Sequence, residues 1–275
     1  MDRSIAVYDA FVAAGWTPVK IITPPVDNVF DFNGEILNRA SALKLPVQMS
    51  RPTDTDLKRL AEDGCDTLVV CYCPWRIGDW SRYLRHAINF HPSPLPKGRG
   101  SLPTIRAVAE GHREWGVSCH KISPHFDEGD VLAQRRFELS PQETFDSINA
   151  KTDMAFRSLA VEVATRFDTL WENAQAQPAA EYWPMLSAEE SKLDWHWTVE
   201  QLLRRARAFG KLGVRADYGG VPLVVRQLTG WVEAHDHRPG TVFVNGNPRG
   251  LVVAVADGYA ALVEWNAAPA VKPAP

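Results

Sequence analysis

The spacing of apolar residues changes once along this 275-residue chain, and that change limits what it can fold into. Up to about residue 172, short apolar runs alternate with segments of helical period. Ile5, Tyr8, Phe11 and Val12 fall on one helical face, and Gly15 ends it. A strand-length run follows at 17–23, then a helical pattern at 33–46. "TDTDLKRLAEDG" at 53–64 opens on capping Thr and Asp residues and stops at a glycine. "CDTLVVCYC" at 65–73 is continuously apolar, as in a strand covered on both faces. "RHAINFH" at 85–91 is the next strand. The helix of 101–111 has Ser101 as its expected cap, Pro103 in its first turn and Gly111 past its end. Strands at 115–123 and 131–139 and a long amphipathic helix at 144–170 complete the series. Alternation of this kind predicts an α/β fold, a Rossmann-like doubly wound, mostly parallel sheet with helices on both faces.

Past residue 172 the texture differs. Residues 173–194 read as a polar linker with alanine and proline. One helix follows at 198–209, then short strands separated by glycines, which predict a small antiparallel β-barrel-like domain at 195–275. The expected organisation is an α/β domain at 1–172, the linker, and this domain. Net charge is −3, so a nucleic-acid partner would need its basic residues gathered on one face. No stretch of about 18 apolar residues suggests a membrane span, and "MDRSIAVYDAF" does not read as a secretory signal. Cys65, Cys71, Cys73 and Cys119 are too few for a disulfide framework, so reduced thiols in a cytoplasmic protein are expected. Cys71 and Cys73 are one residue apart, and His235 and His237 lie in a loop without further ligands. No metal is expected at either place.

Chemistry concentrates in "INFHPSPLPKGRG" at 88–100. Asn89 and His91 stand two apart at the carboxyl end of a strand, where α/β sheets collect ligands, and both side chains face the same way. The loop after them holds three prolines and two glycines, a heavy restriction on the backbone. One strand later "FDEGD" at 126–130 sets Asp127 in a second tight turn, within reach of His91.

These stretches, with "WGVSCHKISPHFDEGDVLAQ" and "LSAEESKLDWHWTVEQLLRRARAF", resemble the folate-dependent formyltransferases over nearly the whole chain. The shared pattern is Asn-x-His, a Ser-x-Leu-Pro loop, then Asp-x-Gly-Asp. The resemblance implies 10-formyltetrahydrofolate as cosubstrate and Asn89, His91 and Asp127 as the catalytic trio. It places Trp75, Arg76 and Ile77, after the 65–73 strand, and His125 and Asp130 around the pterin. Ser93, Lys97, Arg99 and Gly100 become candidates for holding the acceptor, the two cations through a phosphate or carboxylate.

Two departures bear on fold and acceptor. Members of that family begin with an apolar strand ahead of the helix that here starts near Ser4, so the first, central strand of the sheet is expected to be absent or to lie upstream of Met1. Members acting on tRNA share a basic, glycine-containing insertion, where this chain reads "TPPVDNVFDFNGEILNRAS", which is acidic. A small-molecule amine, a sugar nucleotide or biosynthetic intermediate, is therefore the expected acceptor, with methionyl-tRNA the alternative and a folate-binding protein without activity a reading of another class. The sequence leaves a homodimer open.

Overall fold

The structure is a computed structural model, and it describes residues 4–26, 32–244 and 250–268. The chain divides into two compact units, one of residues 1–100, 114–137 and 150–183, the other of residues 101–113, 138–149 and 184–275. These units are drawn differently from the expected 1–172 and 195–275 domains: residues 101–113 and 138–149 fall in the second unit, and the 173–194 segment divides after Trp183.

In the first unit α1 (Ile5–Ala13), β1 (Ile21–Ile22), α2 (Gly34–Ala42), β2 (Val47–Gln48), α3 (Asp54–Glu62), β3 (Thr67–Cys71), β4 (His86–His91) and the two-residue β5 (Arg99–Gly100) follow one another. After α4 (Pro103–Ala109), which belongs to the second unit, come β6 (Glu114–Lys121), β7 (Val131–Glu138), α5 (Phe145–Thr165), whose first five residues belong to the second unit, α6 (Phe167–Glu172) and β8 (Tyr182–Trp183). The main sheet has the order β3-β4-β6-β7, and β1 pairs in parallel with β2 in a separate ribbon.

α3 begins where its sequence says, with a reciprocal capping box between Thr53 and Asp56. β3 is covered on both faces: Val69 and Cys71 pack on one cluster and Leu68 on another with Leu57, Leu60 and Leu84. The main core joins Val7 and Phe11 of α1 to Ile88 and Phe90 of β4, Val117 and Cys119 of β6, and Phe156, Leu159 and Val163 of α5.

Three local expectations change. β3 and β4 are parallel, but β6 runs antiparallel to β4, so the sheet is mixed. The 144–170 helix breaks at Arg166, and Phe167 turns inward, edge-on to Trp16 at 5.0 Å. Ser101 does not cap α4; Leu102 takes that place in left-handed backbone at φ 51°, and Pro103 opens the helix.

In the second unit α7 (Val199–Phe209) carries its own capping box, Thr198 with Gln201. β9 (Val214–Tyr218), β10 (Val221–Val232), β11 (Val242–Val244), β12 (Leu251–Ala254) and β13 (Gly258–Ala267) form an antiparallel sheet in the order β11-β12-β13-β10-β9. Among the described residues no helix is long and apolar enough to cross a membrane.

Candidate active site

Strand alternation builds the site. Ile88 and Phe90 point into the core, so Asn89 and His91 point to the opposite face. On the antiparallel neighbour Val117 and Cys119 are the core residues, which leaves Ser118 and His120 on the polar side. The register sets Asn89 opposite His120 and His91 opposite Ser118. Four polar side chains thereby share one patch of sheet, each against its cross-strand partner.

Ser118 anchors the prolyl loop. Its hydroxyl donates to the Ser93 carbonyl at 2.7 Å and accepts from the Leu95 N–H at 3.0 Å. Ser93 is wholly buried here. Lys97 is exposed at the loop's tip. Gly98 turns its carbonyl onto His91 Nε2 at 2.8 Å. A carbonyl only accepts, so Nε2 carries the hydrogen and the neutral ring leaves Nδ1 bare.

Asp127 closes the patch. Its backbone is left-handed at φ 58°, a conformation that costs a non-glycine residue roughly 1–2 kcal/mol and persists only where the surroundings enforce it. One carboxylate oxygen accepts the Gly100 N–H at 2.9 Å. The other lies 3.4 Å from His91 Nδ1, 3.4 Å from Asn89 Nδ2 and 3.5 Å from His120 Nε2. Asn89 Nδ2 also donates to His120 Nε2 at 3.1 Å, an acceptor because His120 Nδ1 faces the Lys121 carbonyl at 2.7 Å.

Burial pushes the His91 imidazole below its ordinary value, against the opposing pull of Asp127 and the Gly98 carbonyl. Burial pushes the Asp127 carboxyl up, but His91, His120 and the Gly100 N–H outweigh it and hold the group below the usual carboxylate range. The resting pair is therefore a neutral imidazole facing an ionised carboxylate.

The remaining candidates occupy two loops. Trp75 and Ile77 are half-buried on the loop after β3, and exposed Arg76 crosses to the Pro124 carbonyl. Trp80 Nε1 donates to the Ile122 carbonyl at 3.2 Å, so this loop adjoins the 122–130 segment. His125 is exposed there, and Asp130 pairs with Lys121 at 3.4 Å. Arg99, expected at an acceptor anion, is buried and turned inward: Nε and Nη2 donate to Gln177 Oε1 at 3.1 and 3.0 Å, and Nη2 to the Pro178 carbonyl at 3.0 Å. Gly100 gives its N–H to Asp127 and so belongs to the carboxylate's support. Sequence reading missed His120 and Gln177; only the antiparallel register and a contact 50 residues away reveal them.

Comparison with known proteins fits this geometry. Residues 79–164 match the profile of the formyl transferase family, and residues 185–269 that of the formyl transferase C-terminal domain. The chain is 30% identical over 278 positions to the methionyl-tRNA formyltransferase of Thiobacillus denitrificans, covering 96% of this chain and 88% of that one. The chain belongs to the formyltransferase family. Its fold is shared with an N-formyltransferase from Helicobacter canadensis crystallised with folinic acid and dTDP-3-aminofucose, at TM-score 0.67, 15% identity and 96% coverage of each chain. HypX from Aquifex aeolicus, crystallised with tetrahydrofolic acid, superposes at TM-score 0.64 with 19% identity, over 91% of this chain and 44% of that one. This formyltransferase is a folate-dependent enzyme whose acceptor is a separate question.

Proposed function

We propose that this formyltransferase moves a formyl group from 10-formyltetrahydrofolate to the amine of a small-molecule acceptor, a sugar nucleotide or a biosynthetic intermediate. The observation that carries the reading is buried, neutral His91, whose bare Nδ1 sits 3.4 Å from the Asp127 carboxylate and beside Asn89. An amine nitrogen attacks the formyl carbon, and the carbonyl π electrons move onto oxygen. That oxyanion competes for the Asn89 N–H that reaches Asp127 over a long 3.4 Å. His91 Nδ1 takes the proton released by the amine, and Asp127 stabilises the imidazolium that results. The same proton then passes to N10 as the bond from carbon to N10 breaks, leaving a formamide and tetrahydrofolate. Each of these groups is worth about 10²–10⁴-fold in rate. No metal is needed. Trp75, Arg76 and Ile77 on one loop and His125 and Asp130 on the other flank the pterin, which suits two loops that adjoin through Arg76 and Trp80. Exposed Lys97 is the candidate for the acceptor side, whereas wholly buried Ser93 belongs to the support of the loop.

Charge supports the small acceptor. In the second unit two of the three arginines of α7 are already engaged: Arg205 lies over the Trp197 ring at 5.2 Å, and Arg207 pairs with Glu200 at 3.4 Å. Arg106 of α4 likewise meets Glu190 at 2.7 Å. A second reading, methionyl-tRNA as acceptor, is favoured by the Thiobacillus relative. Purified enzyme is to be mixed with 10-formyltetrahydrofolate and, separately, with dTDP-amino sugars and initiator methionyl-tRNA, and release of tetrahydrofolate followed. Turnover is expected with the amino sugars and is abolished by His91→Ala at unchanged melting temperature. Higher kcat/KM with methionyl-tRNA would overturn the small-acceptor reading. Folate binding without turnover on either would mark a binding protein.

A further inference from the structure

We propose that Gln177, in the segment between β8 and α6, is a positioning residue that sets the Asp127 carboxylate against His91. The inference rests on the role given to Asp127 above. Its ground is a single side-chain amide used at both ends. Gln177 Nε2 donates to the Asp127 carbonyl at 2.9 Å and to the Gly129 carbonyl at 2.7 Å, so it spans the left-handed turn from outside. Its Oε1 accepts two hydrogens from Arg99, whose guanidinium also holds the next residue of the segment through the Pro178 carbonyl. Arg99 is buried, with Glu128 as the carboxylate nearest its free edge at 3.8 Å. The adjacent residue, Gly100, donates its N–H to the Asp127 carboxylate.

Two neighbouring residues of β5 therefore grip one turn from both sides, Gly100 directly at the carboxylate and Arg99 through Gln177 at the backbone. Only an amide suits the middle position. It offers two N–H donors to the turn's carbonyls and one acceptor to the guanidinium, whereas a carboxylate cannot donate and an ammonium cannot accept. The hydrogen bonds of Gln177 go to Asp127, Gly129 and Arg99 rather than to Asn89, His91 or His120, so it acts through Asp127.

The groups facing His91 are Asp127 and His120, and Asp127 is the one that favours its protonated form. Loss of the grip lets the carboxylate drift from Nδ1, and His91 should then titrate at lower pH. The test is NMR titration of the His91 ring in the full-length protein, assigned against His91→Gln, in wild type, Gln177→Met and Arg99→Lys. Gln177→Met keeps the side-chain length without donors or acceptor. Both variants are expected to move the His91 midpoint downward, and the double variant no further than the larger single shift, since the two act in series. In formyl transfer from 10-formyltetrahydrofolate, kcat should fall on the order of 10²-fold, the effect of about 1 Å of misplacement, while tetrahydrofolate affinity stays within about threefold. Should Gln177→Met not fold, Gln177→Asn, one methylene too short to reach, serves with the same expected sign. A His91 midpoint that matches wild type in a folded Gln177 variant overturns the proposal. If the wild type transfers no formyl group, the reaction assigned to the site fails, while the titration still decides whether Gln177 holds Asp127.

Discussion

His91 and Asp127 stand 3.4 Å apart with side chains 7% and 9% exposed, so little water screens one from the other. Asp127 raises the His91 value against the larger effect of burial. Asp127→Asn should therefore do two things: lower kcat by about 10²–10⁴-fold, and move the acid limb of kcat/KM to lower pH, because the imidazole loses the charge that favours its protonation. An acid limb that stays put or moves upward would mean that another group is the base. His120→Gln should spare folding and cost less, since Asn89 loses the acceptor that orients it but keeps Asp127. Steady-state kinetics on the folded variant check this. The meeting of Asn89, His91 and Asp127 was legible in the sequence because each sits in a short motif at a strand end or in a tight turn. His120 was not, since a histidine inside an apolar strand looks like any other polar residue until its cross-strand partner is known. Arg99 was misjudged for the opposite reason, as a loop arginine reads as exposed when nothing nearby in sequence reveals Gln177.

At the scale of elements, the site depends on where β6 and the Asp127 turn meet. A Cβ placed on Gly129 would lie 1.9 Å from the Lys121 carbonyl oxygen, closer than any packing allows. Gly129→Ala must push the turn off the end of β6, with a stability loss above the ~1–3 kcal/mol typical of overpacking and a parallel loss of activity. Gly100 is doubly constrained, by φ 101° and by the Trp183 carbonyl 2.1 Å from any Cβ, where β5 runs beside β8. Thr53→Ala offers the contrast: it removes one reciprocal cap whose partner is Asp56, outside the Asn89, His91, His120 and Asp127 cluster, and should cost about 1 kcal/mol in chemical denaturation with kcat unchanged. Helix limits and strand cores followed from periodicity and capping residues. The direction of β6 did not, because α4 lies between β5 and β6 in a different compact unit, and alternation of strand and helix along the sequence carries no sign for a strand that returns from there.

For the whole molecule, pH and salt read out charge placement. His91 is held below its ordinary value and so is Asp127, hence the unfolded chain binds more protons than the folded one below about pH 6.5, and again below about pH 4. Both contributions are complete above those unfolded values and are lost as pH falls through the folded ones. His91→Gln should flatten the upper part of the acid melting profile. Salt separates the acceptors. A polyanionic acceptor held by several phosphate contacts loses roughly 10³–10⁵-fold in affinity between about 50 and 200 mM salt. This chain has a net charge of −3 and engages Arg106, Arg205 and Arg207 internally, which takes three arginines of its second unit out of ready contact with phosphates. Acceptor kcat/KM is accordingly expected to change no more than several-fold over that salt range. A fall of three decades, with tetrahydrofolate affinity unchanged, would establish a nucleic-acid acceptor and identify the α7 arginines as groups that exchange their internal partners for phosphates.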